Sequence, residues 1–391
     1  MSATSDSRPV ISGLGKSAIG RRLGRSAMDL TLDAVLAAVA DAGLDRSDID
    51  GVVAGSGYAP AAGASPIQAV DIKEALRLEV NWYGTVGTDT TQMAALMHAY
   101  AAVASGQARH VVVSRTVVEA SMREAALAEQ IGERVTGPGQ WTVPLGAPSS
   151  ANWVALVASR YFHEFGTTRE QLAQIALTCR RNASLTEDSV YRGALTLEDY
   201  LGSRMISSPL CLYDCDVPID GSMALIVSHA NFARDAGAPA VRIESNCGPL
   251  YSRDSWDQQA DLTRFCGADA GRRLWSRTDL KPKNIDVAQI YDGYSFLAML
   301  WLEDMGICGR GEAGAFIEGG SRIALDGELP INTSGGQLSF GRMHGMGLIH
   351  EACVQLRHEG GKRQVPNDPR VALVTNGGGT VASAALLVRQ V

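Results

Sequence analysis

Two polar clusters stand where the chain passes from a predicted strand into a predicted helix. The first is Tyr291-Asp292-Gly293-Tyr294, which follows the apolar run from Val287 to Ile290. Parallel sheets gather the reactive groups of α/β proteins at the carboxyl ends of their strands. We therefore expect Tyr291 to be a functional residue, whereas Tyr294 is either a second site residue or a core aromatic of the next helix.

The second cluster combines amide, guanidinium and imidazole groups between glycines. Asn332 precedes Gly335-Gly336, and Arg342 and His344 follow shortly before a predicted helix from Leu348 to Leu356. A positive helix end beside an imidazole favours its neutral form, which a general base needs. His344 is thus a candidate base or, alternatively, a helix-capping residue, and Asn332 is a candidate partner of a substrate carbonyl.

Glycine-rich turns form a third feature, around Gly84 and across Gly377 to Gly379. Such turns expose backbone N–H groups near helix N-termini, where they stabilise an oxyanion or a phosphate; tight packing is the alternative reason for each cluster. A dinucleotide-binding fingerprint is excluded, because Gly13-Leu14-Gly15 is followed by Gly20, which breaks the GxGxxG spacing.

Alternating helices and strands are predicted to position these clusters. A capping box at Ser26 opens a helix that Gly43 closes, Met93 to Ser105 is a second helix, and His110 to Ser114 is a buried strand. The segment 44–50 has a counterpart at 280–286, each leading into a strand. This pattern predicts an α/β protein with two duplicated halves.

An insertion is predicted between the halves. Its loops are rich in Pro, Gly and Trp, and capping boxes at Thr167 and Thr196 begin two of its helices. We interpret it as a segment that covers an active-site mouth, with a plain surface excursion as the alternative. The predicted boundaries are 1–117 with 211–240 for the first half, 118–210 for the insertion and 241–391 for the second half.

Composition excludes several classes of function. The 391 residues carry a net charge of −7, which argues against nucleic acid and anionic membranes as partners. The chain has no run of 18 apolar residues, and its opening residues lack the apolar core of a signal peptide. Seven cysteines without CxxC pairs or metal-ligand spacing indicate free thiols in a reducing compartment. We expect a cytoplasmic protein without a bound metal.

Four longer motifs carry a family resemblance. They lie at residues 160–173, 197–222, 332–339 and 376–379. With them, nearly the whole chain resembles the thiolase superfamily, and in particular the sterol-carrier-protein-type thiolases. The resemblance implies the five-layered thiolase fold, in which two βαβαβαββ halves carry a loop domain inserted in the first. It also implies a homodimer and an acyl-CoA ligand.

The chain departs from the thiolase pattern at each active-site motif. The alignment puts Gly84 where thiolases have their nucleophilic cysteine and Asn376 where they have the second cysteine. Arg342 falls on the histidine of the GHP motif, and Tyr291 falls on the asparagine of the NEAF motif. Because no cysteine lies in either cysteine motif, we do not expect chemistry through an acyl-enzyme.

The substituted motifs are similar to those of the thiolase-like aldolases of steroid side-chain degradation. Tyr291-Asp292 and His344-Gly345 match that branch, whereas Arg342 stands where it has a second tyrosine. The resemblance implies retro-aldol cleavage of a β-hydroxyacyl-CoA into a ketone or aldehyde and a shorter acyl-CoA. It also implies a small OB-fold, zinc-ribbon partner in a heterotetramer. The alternatives are a thiolase-like acyltransferase without a cysteine nucleophile and a non-catalytic acyl-CoA-binding subunit.

A retro-aldol cleavage needs a base for the β-hydroxyl group and stabilisation of the enolate, but no metal or redox cofactor. Tyr291 or His344 is the candidate base, and Arg342 either lowers the pKa of Tyr291 or holds the enolate. Backbone N–H groups around Gly84 and Gly378 are the candidate oxyanion donors. The expected oxyanion and substrate contacts are Gly84, Thr85, Tyr294, Asn332, Asn376, Gly377 and Gly378.

Overall fold

A nine-stranded mixed sheet forms the centre of the molecule. The computed structural model describes residues 8–56, 66–87, 90–122, 135, 139–232, 239–251, 256 and 259–390. The strands described are β1 (Val10–Lys16), β2 (Gly51–Gly55), β3 (Trp82–Val86), β4 (His110–Val118), β5 (Met205–Ser207), β6 (Leu210–Cys211), β7 (Asp220–Ser228), β8 (Val241–Tyr251), β9 (Val287–Gln289), β10 (Val371–Gly377) and β11 (Val381–Arg389). The order in the large sheet is β3-β2-β4-β7-β1-β8-β11-β10-β9, and β5 and β6 form a separate hairpin.

Helices cover both faces of this sheet. Those described are α1 (Ala27–Asp41), α2 (Ala69–Leu76), α3 (Thr91–Ala104), α4 (Gly139–Thr142), α5 (Ser150–Phe165), α6 (Arg169–Ser184), α7 (Leu197–Leu201), α8 (Cys266–Trp275), α9 (Ser295–Asp304), α10 (Ala313–Ile317) and α11 (Met346–Leu356). Because of this cover, every residue of β4 and β7 is buried, which explains their continuous apolar runs. In the part of the chain described, no helix is both long and apolar enough to cross a membrane.

The two halves of the sheet repeat one order of elements. In the first half, β1, α1, β2, α2, β3, α3, β4 and β7 follow one another; in the second, β8, α8, β9, α9, α11, β10 and β11 do so. Ile331 forms a parallel bridge with Ala288 at the place that corresponds to β3. Short 3-10 helices at Arg46–Asp48 and Pro282–Asn284 precede β2 and β9, where the sequence repeat predicted equivalence. The predicted duplication is confirmed.

Packing arranges the halves in five layers. α1 and α2 cover the outer face of the first half, and α8 and α9 cover that of the second. α3 and α11 lie between the two sheet halves and share one apolar core with both. The halves also join edge to edge, through the pairing of Val10 and Ile11 in β1 with Arg242 and Val241 in β8. The predicted α/β class and thiolase-type layering are confirmed.

The segment between β4 and β7 packs on the second half of the sheet. Its described residues from 139 to 211 form α4 to α7 and the β5–β6 hairpin, and none of them joins the large sheet. α5 and α6 pack with α9 in the core under the second half. The capping box of α6 is Thr168 with Gln171, one residue later than predicted, whereas Thr196 caps α7 as predicted. The domain boundaries themselves stay a prediction.

Trp301 tests the importance of this core. Its side chain is 1% exposed, and its Nε1 donates to the backbone oxygen of Gly377 at 2.9 Å. We expect Trp301→Ala to lower the free energy of unfolding by about 3–5 kcal/mol, because it leaves a cavity. Urea denaturation measures this free energy. The control is Trp141→Ala, because the side chain of Trp141 is 73% exposed. We expect the stability of this control to lie within about 0.5 kcal/mol of wild type. Equal effects of the two variants would contradict this view of the core.

Candidate active site

A charged cluster joins both halves of the molecule. Glu119 directly follows β4, its side chain is 3% exposed, and it accepts hydrogen bonds from Arg342 Nε at 2.6 Å and from His344 Nε2 at 2.5 Å. Arg342 Nη1 donates to Asp216 Oδ1 at 3.0 Å. Arg342 therefore lies between two carboxylates, one of which also holds His344. The structure brings Arg342 and His344 together as expected, but the sequence analysis missed both carboxylates.

The surroundings of this cluster fix the charge of Glu119 and Arg342. Burial alone would raise the pKa of Glu119, but the charge of Arg342 and the hydrogen bonds from His344 and Arg342 hold this pKa below its usual range. Burial opposes the charge of Arg342, whose pKa nevertheless lies above its usual value because Asp216 and Glu119 surround it. Glu119 is thus ionised and Arg342 stays charged at neutral pH.

His344 is neutral in this setting, with a defined tautomer. Burial lowers its pKa below the usual value, although Glu119 acts in the opposite direction. An ionised carboxylate only accepts hydrogen bonds, so the Nε2 atom that contacts Glu119 carries the proton. The unprotonated Nδ1 is then the basic atom of the ring. The contact with Glu119 orients the ring, and the predicted role of His344 as a base stays a prediction.

Asp216 is the second acidic residue of the cluster. Its side chain is 10% exposed, and burial raises its pKa to about 7, against the opposing charge of Arg342. A carboxyl group with this pKa is partly protonated at neutral pH, as proton-transfer groups of enzymes often are. Only the sequence stretch that carried the family resemblance pointed to this segment, and no local motif marked Asp216.

Tyr291 lies at the end of β9 as expected, but its ionisation differs from the prediction. Its backbone N–H donates to Thr375 Oγ1 at 2.9 Å. Burial, and then the charge of Asp216, raise the pKa of Tyr291, and Arg342 does not outweigh them. The expectation that Arg342 makes Tyr291 a base is therefore wrong in this structure. Tyr291 is a neutral phenol, which can donate a hydrogen bond.

Tyr294 links the site to the segment inserted after β4. It is the residue that precedes α9, and its hydroxyl lies 2.7 Å from Ser150 Oγ at the start of α5. Burial raises the pKa of Tyr294, so it is also a neutral phenol. Its predicted contact with substrate stays a prediction.

Asn332 holds the backbone just before Tyr291. Its Oδ1 accepts from the N–H of Ile290 at 2.7 Å, and its Nδ2 donates to the carbonyl oxygen of the same residue at 2.9 Å. Asn332 is fully buried. The structure thus gives its amide group a positioning contact, and its predicted contact with a substrate carbonyl stays a prediction.

Asn376 lies beside His344 at the end of β10. Its Nδ2 donates to the backbone oxygen of His344 at 3.1 Å and lies 3.2 Å from the side-chain amide of Gln92 in α3. Gly345 makes this possible, because a Cβ there would lie 2.5 Å from Asn376 Nδ2 and its φ is +95°. Among the described residues, the buried Oδ1 of Asn376 and Oγ1 of Thr90 have no hydrogen-bond partner. Of these two groups, the hydroxyl of Thr90, just before α3, can donate to a thioester oxygen, whereas Asn376 Oδ1 can only accept a hydrogen bond.

The glycine-based expectations need correction. Gly84 pairs with Val53 inside β3, and α3 begins only at Thr91, so Gly84 does not stand at the start of that helix. Residues 88 and 89, between this strand and this helix, lie outside the described residues. The hydroxyl oxygen of Thr85 accepts a hydrogen bond from the backbone N–H of Ala69, with 3.1 Å between the oxygen and the nitrogen.

The second glycine turn forms a hairpin between β10 and β11. The N–H of Gly378 donates to Val381 O at 2.7 Å, so it is not the free oxyanion donor that we expected. The backbone oxygen of Gly377 accepts from Trp301. Both glycines therefore shape the turn through contacts within the protein.

The cysteines offer no thiolate to the site. All seven are free, and burial is the main cause of a raised pKa in six of them; this pKa is about 12 for both Cys308 and Cys353. The seventh, Cys266, donates its Sγ–H to Gly379 O at 3.0 Å. Cys179 lies 3.5 Å from Asp292 Oδ2, and this carboxylate further opposes its ionisation. Within the described ranges, no group of three or more His, Cys, Asp or Glu side chains is arranged to hold a metal ion.

Removal of the Glu119 charge tests the coupling to His344. Because the carboxylate favours the imidazolium form, we expect Glu119→Gln to lower the pKa of His344 further. An NMR titration of the His344 imidazole measures this pKa, with Glu328→Gln, at an exposed surface ion pair, as the control. A pKa that stays unchanged or rises in Glu119→Gln would rule out the contact in solution.

Comparisons with known proteins identify the family of the chain. Residues 248–390 match the model of the thiolase C-terminal domain-like family. The chain is 34% identical to the steroid side-chain-cleaving aldolase of Thermomonospora curvata, over 96% of this chain and 97% of that protein. It is 33% identical to the 17-hydroxy-3-oxo-4-pregnene-20-carboxyl-CoA lyase of Mycobacterium tuberculosis, over 89% of this chain and 91% of that protein.

A solved structure extends the likeness to the fold. The structure of the "Ltp2-ChsH2(DUF35) aldolase" superposes with a TM-score of 0.87 at 32% identity and covers 98% of both chains. The similarity thus spans both sheet halves, the inserted segment and the Tyr291 and His344 motifs. The chain belongs to the thiolase superfamily, among its aldolases.

Proposed function

We propose that this protein is an acyl-CoA lyase that cleaves a β-hydroxyacyl-CoA by a retro-aldol reaction, giving a ketone or aldehyde and a shorter acyl-CoA. The observation that carries the proposal is the ionised Glu119, which holds a neutral His344 beside the charged Arg342. This arrangement provides a base where thiolases depend on cysteine chemistry. The lyase and aldolase names of the two relatives support the same reaction class.

The proposed reaction removes one proton from the substrate hydroxyl, breaks one carbon–carbon bond and adds one proton to C2. His344 Nδ1 accepts the proton of the β-hydroxyl group, the hydroxyl oxygen forms the new carbonyl, and the bond between C2 and C3 breaks. The electron pair of that bond moves into the thioester as an enolate. A proton added to C2 then gives the shorter acyl-CoA, and the proton on His344 returns to solvent.

A neutral donor beside Arg342 serves the enolate oxygen in this proposal. This donor is the phenol of Tyr291, and a donor of this kind is worth about 3 kcal/mol in the transition state. Arg342 donates a hydrogen bond from Nε to Glu119 and another from Nη1 to Asp216. We therefore assign it to holding these two acids rather than to binding the enolate.

We further propose a steroid-type acyl group and a partner protein. The names of both relatives refer to steroid substrates or side chains, and the solved structure carries a second component in its name. On this basis the substrate is a CoA thioester on a steroid side chain. The partner is a small OB-fold, zinc-ribbon protein, bound to a homodimer of this chain in a heterotetramer.

Product analysis tests the proposed reaction. The purified chain, alone and with the candidate partner, is incubated with β-hydroxyacyl-CoA and β-ketoacyl-CoA thioesters without free CoA, and the products are identified by mass spectrometry. We expect a carbonyl compound and a shortened acyl-CoA from the hydroxy substrates only. Turnover only of keto substrates, and only with added CoA, would instead establish an acyltransferase. No turnover of either class would favour a non-catalytic subunit.

Two site variants assign the activity to this cluster. We expect His344→Ala and Tyr291→Phe to slow the cleavage by about 100-fold or more, because each removes a proton-transfer or donor group. The matched controls are His98→Ala and Tyr83→Phe, at exposed positions in α3 and β3. Full activity of both site variants would exclude the proposed mechanism.

A further inference from the structure

Asp216 lies at the junction of three parts of the site. Its backbone N–H donates to the carbonyl oxygen of Gly293 at 3.2 Å, which ties it to the loop between Tyr291 and Tyr294. Its Oδ1 accepts from Arg342 Nη1 at 3.0 Å. Backbone and side chain thus fix the position of this carboxyl group independently of each other.

One oxygen of this carboxyl group is open. No hydrogen bond within the described part of the chain involves Oδ2, whereas Glu119 uses both of its oxygens for Arg342 and His344. The side chain of Asp216 is 10% exposed to solvent, whereas that of Glu119 is 3% exposed. Of the two acids on Arg342, Asp216 is therefore the one that can reach a bound molecule.

The groups around Asp216 oppose its ionisation overall. Burial makes the largest contribution to its raised pKa, the anions Glu119 and Asp292 add to it, and Arg342 is the cation that acts against them. The titratable and charged groups that face Asp216 are Arg342, Glu119, Asp292, Tyr291, Tyr294 and Cys215.

The environments of His344 and Asp216 reverse the usual order of the pKa values of an imidazole and a carboxyl group. The pKa of His344 is lowered from its usual value, whereas that of Asp216 is raised to about 7. Near neutral pH a neutral base and a protonated acid therefore coexist on the two sides of Arg342. Pairs whose environments separate them in this way mark the acid and the base of a reaction.

We propose that Asp216 is the catalytic acid of the cleavage, which delivers a proton from its carboxyl group to C2 of the enolate. The inference rests on the proposed function and adds the residue that completes it. After the bond between C2 and C3 breaks, the O–H bond of Asp216 breaks and a C–H bond forms at C2. The carboxylate that results keeps its bond to Arg342, and it regains a proton from solvent while His344 loses one.

The pH dependence of this acid–base pair has a definite sign. The rate falls at low pH, as His344 takes up a proton, and falls again as the pH rises through about 7, as Asp216 loses one. Asp216→Asn keeps an oxygen for Arg342 but has no carboxyl proton. We expect this variant to lose the alkaline limb of the kcat/KM profile. We also expect it to cleave the substrate more slowly than wild type by about 100-fold or more.

The stereochemistry of protonation separates an acid from a merely structural residue. The substrate is a 2-methyl-3-hydroxyacyl-CoA cleaved in D2O, so that C2 of the new acyl-CoA carries one deuterium and becomes a stereocentre. We expect wild-type protein to place it on one face, whereas solvent protonates both faces in Asp216→Asn. Asp216→Glu, which retains the acid, should recover part of the selectivity, and Asp188→Asn, in a surface ion pair with Lys16, should match wild type.

The outcomes distinguish the two proposals. If wild-type protein cleaves the substrate and Asp216→Asn retains the alkaline limb and one-sided deuteration, Asp216 is not the acid, and the lyase function stands. If wild-type protein does not cleave any hydroxyacyl-CoA, the proposed function fails and this inference fails with it. Loss of selectivity in Asp216→Asn, together with its partial recovery in Asp216→Glu, supports the assignment.

Discussion

The buried contact between Arg342 and two carboxylates is the constraint on which the site depends. Glu119 comes from the end of β4 in the first half, Asp216 from the segment before β7, and Arg342 from the loop before α11 in the second half. Charges removed from water are costly, and an unpaired one in an interior costs about 3–5 kcal/mol. The three segments therefore have to meet for any one of them to be stable, and His344 takes its place on Glu119 as part of the same set.

This constraint also explains how a thiolase-type fold dispenses with its nucleophile. The duplicated halves bring the ends of β4, β9 and β10 together, with α3 and α11 packed between the sheets. At that junction the chain has Asn376, Arg342 and Tyr291 in place of the second cysteine, the histidine and the asparagine of the thiolase motifs. In the proposed mechanism, proton transfer replaces covalent attack at this junction.

Local features were predictable because their causes are local. The N-cap at Ser26, the apolar run of β4 and the paired 3-10 helices follow from residues a few positions apart. Tyr291 and His344 could be selected because strand ends and glycine-bounded histidines mark sites in the sequence itself. Their common position near Arg342 then follows from the duplicated architecture.

The rest of the site could not be read from local patterns. Glu119 and His344 are 225 positions apart, and neither Glu119 nor Asp216 stands in a motif that distinguishes it from a surface acid. The ionisation of Tyr291 depends on burial and on Asp216, which only the folded chain reveals. Gly84 was predicted at a helix N-terminus because the family motif has its cysteine there, whereas β3 continues through that position and α3 begins only at Thr91.

The central claim is that the bond is cleaved by proton transfer, without a covalent acyl-enzyme. Intact-protein mass spectrometry of the enzyme, quenched in acid during turnover of a β-hydroxyacyl-CoA, tests this claim most directly, because a thioester on cysteine survives the quench. The account predicts the unmodified mass of the chain at every time point while shortened acyl-CoA accumulates. A transient mass increase equal to the acyl group, located on any of the seven cysteines, would contradict it.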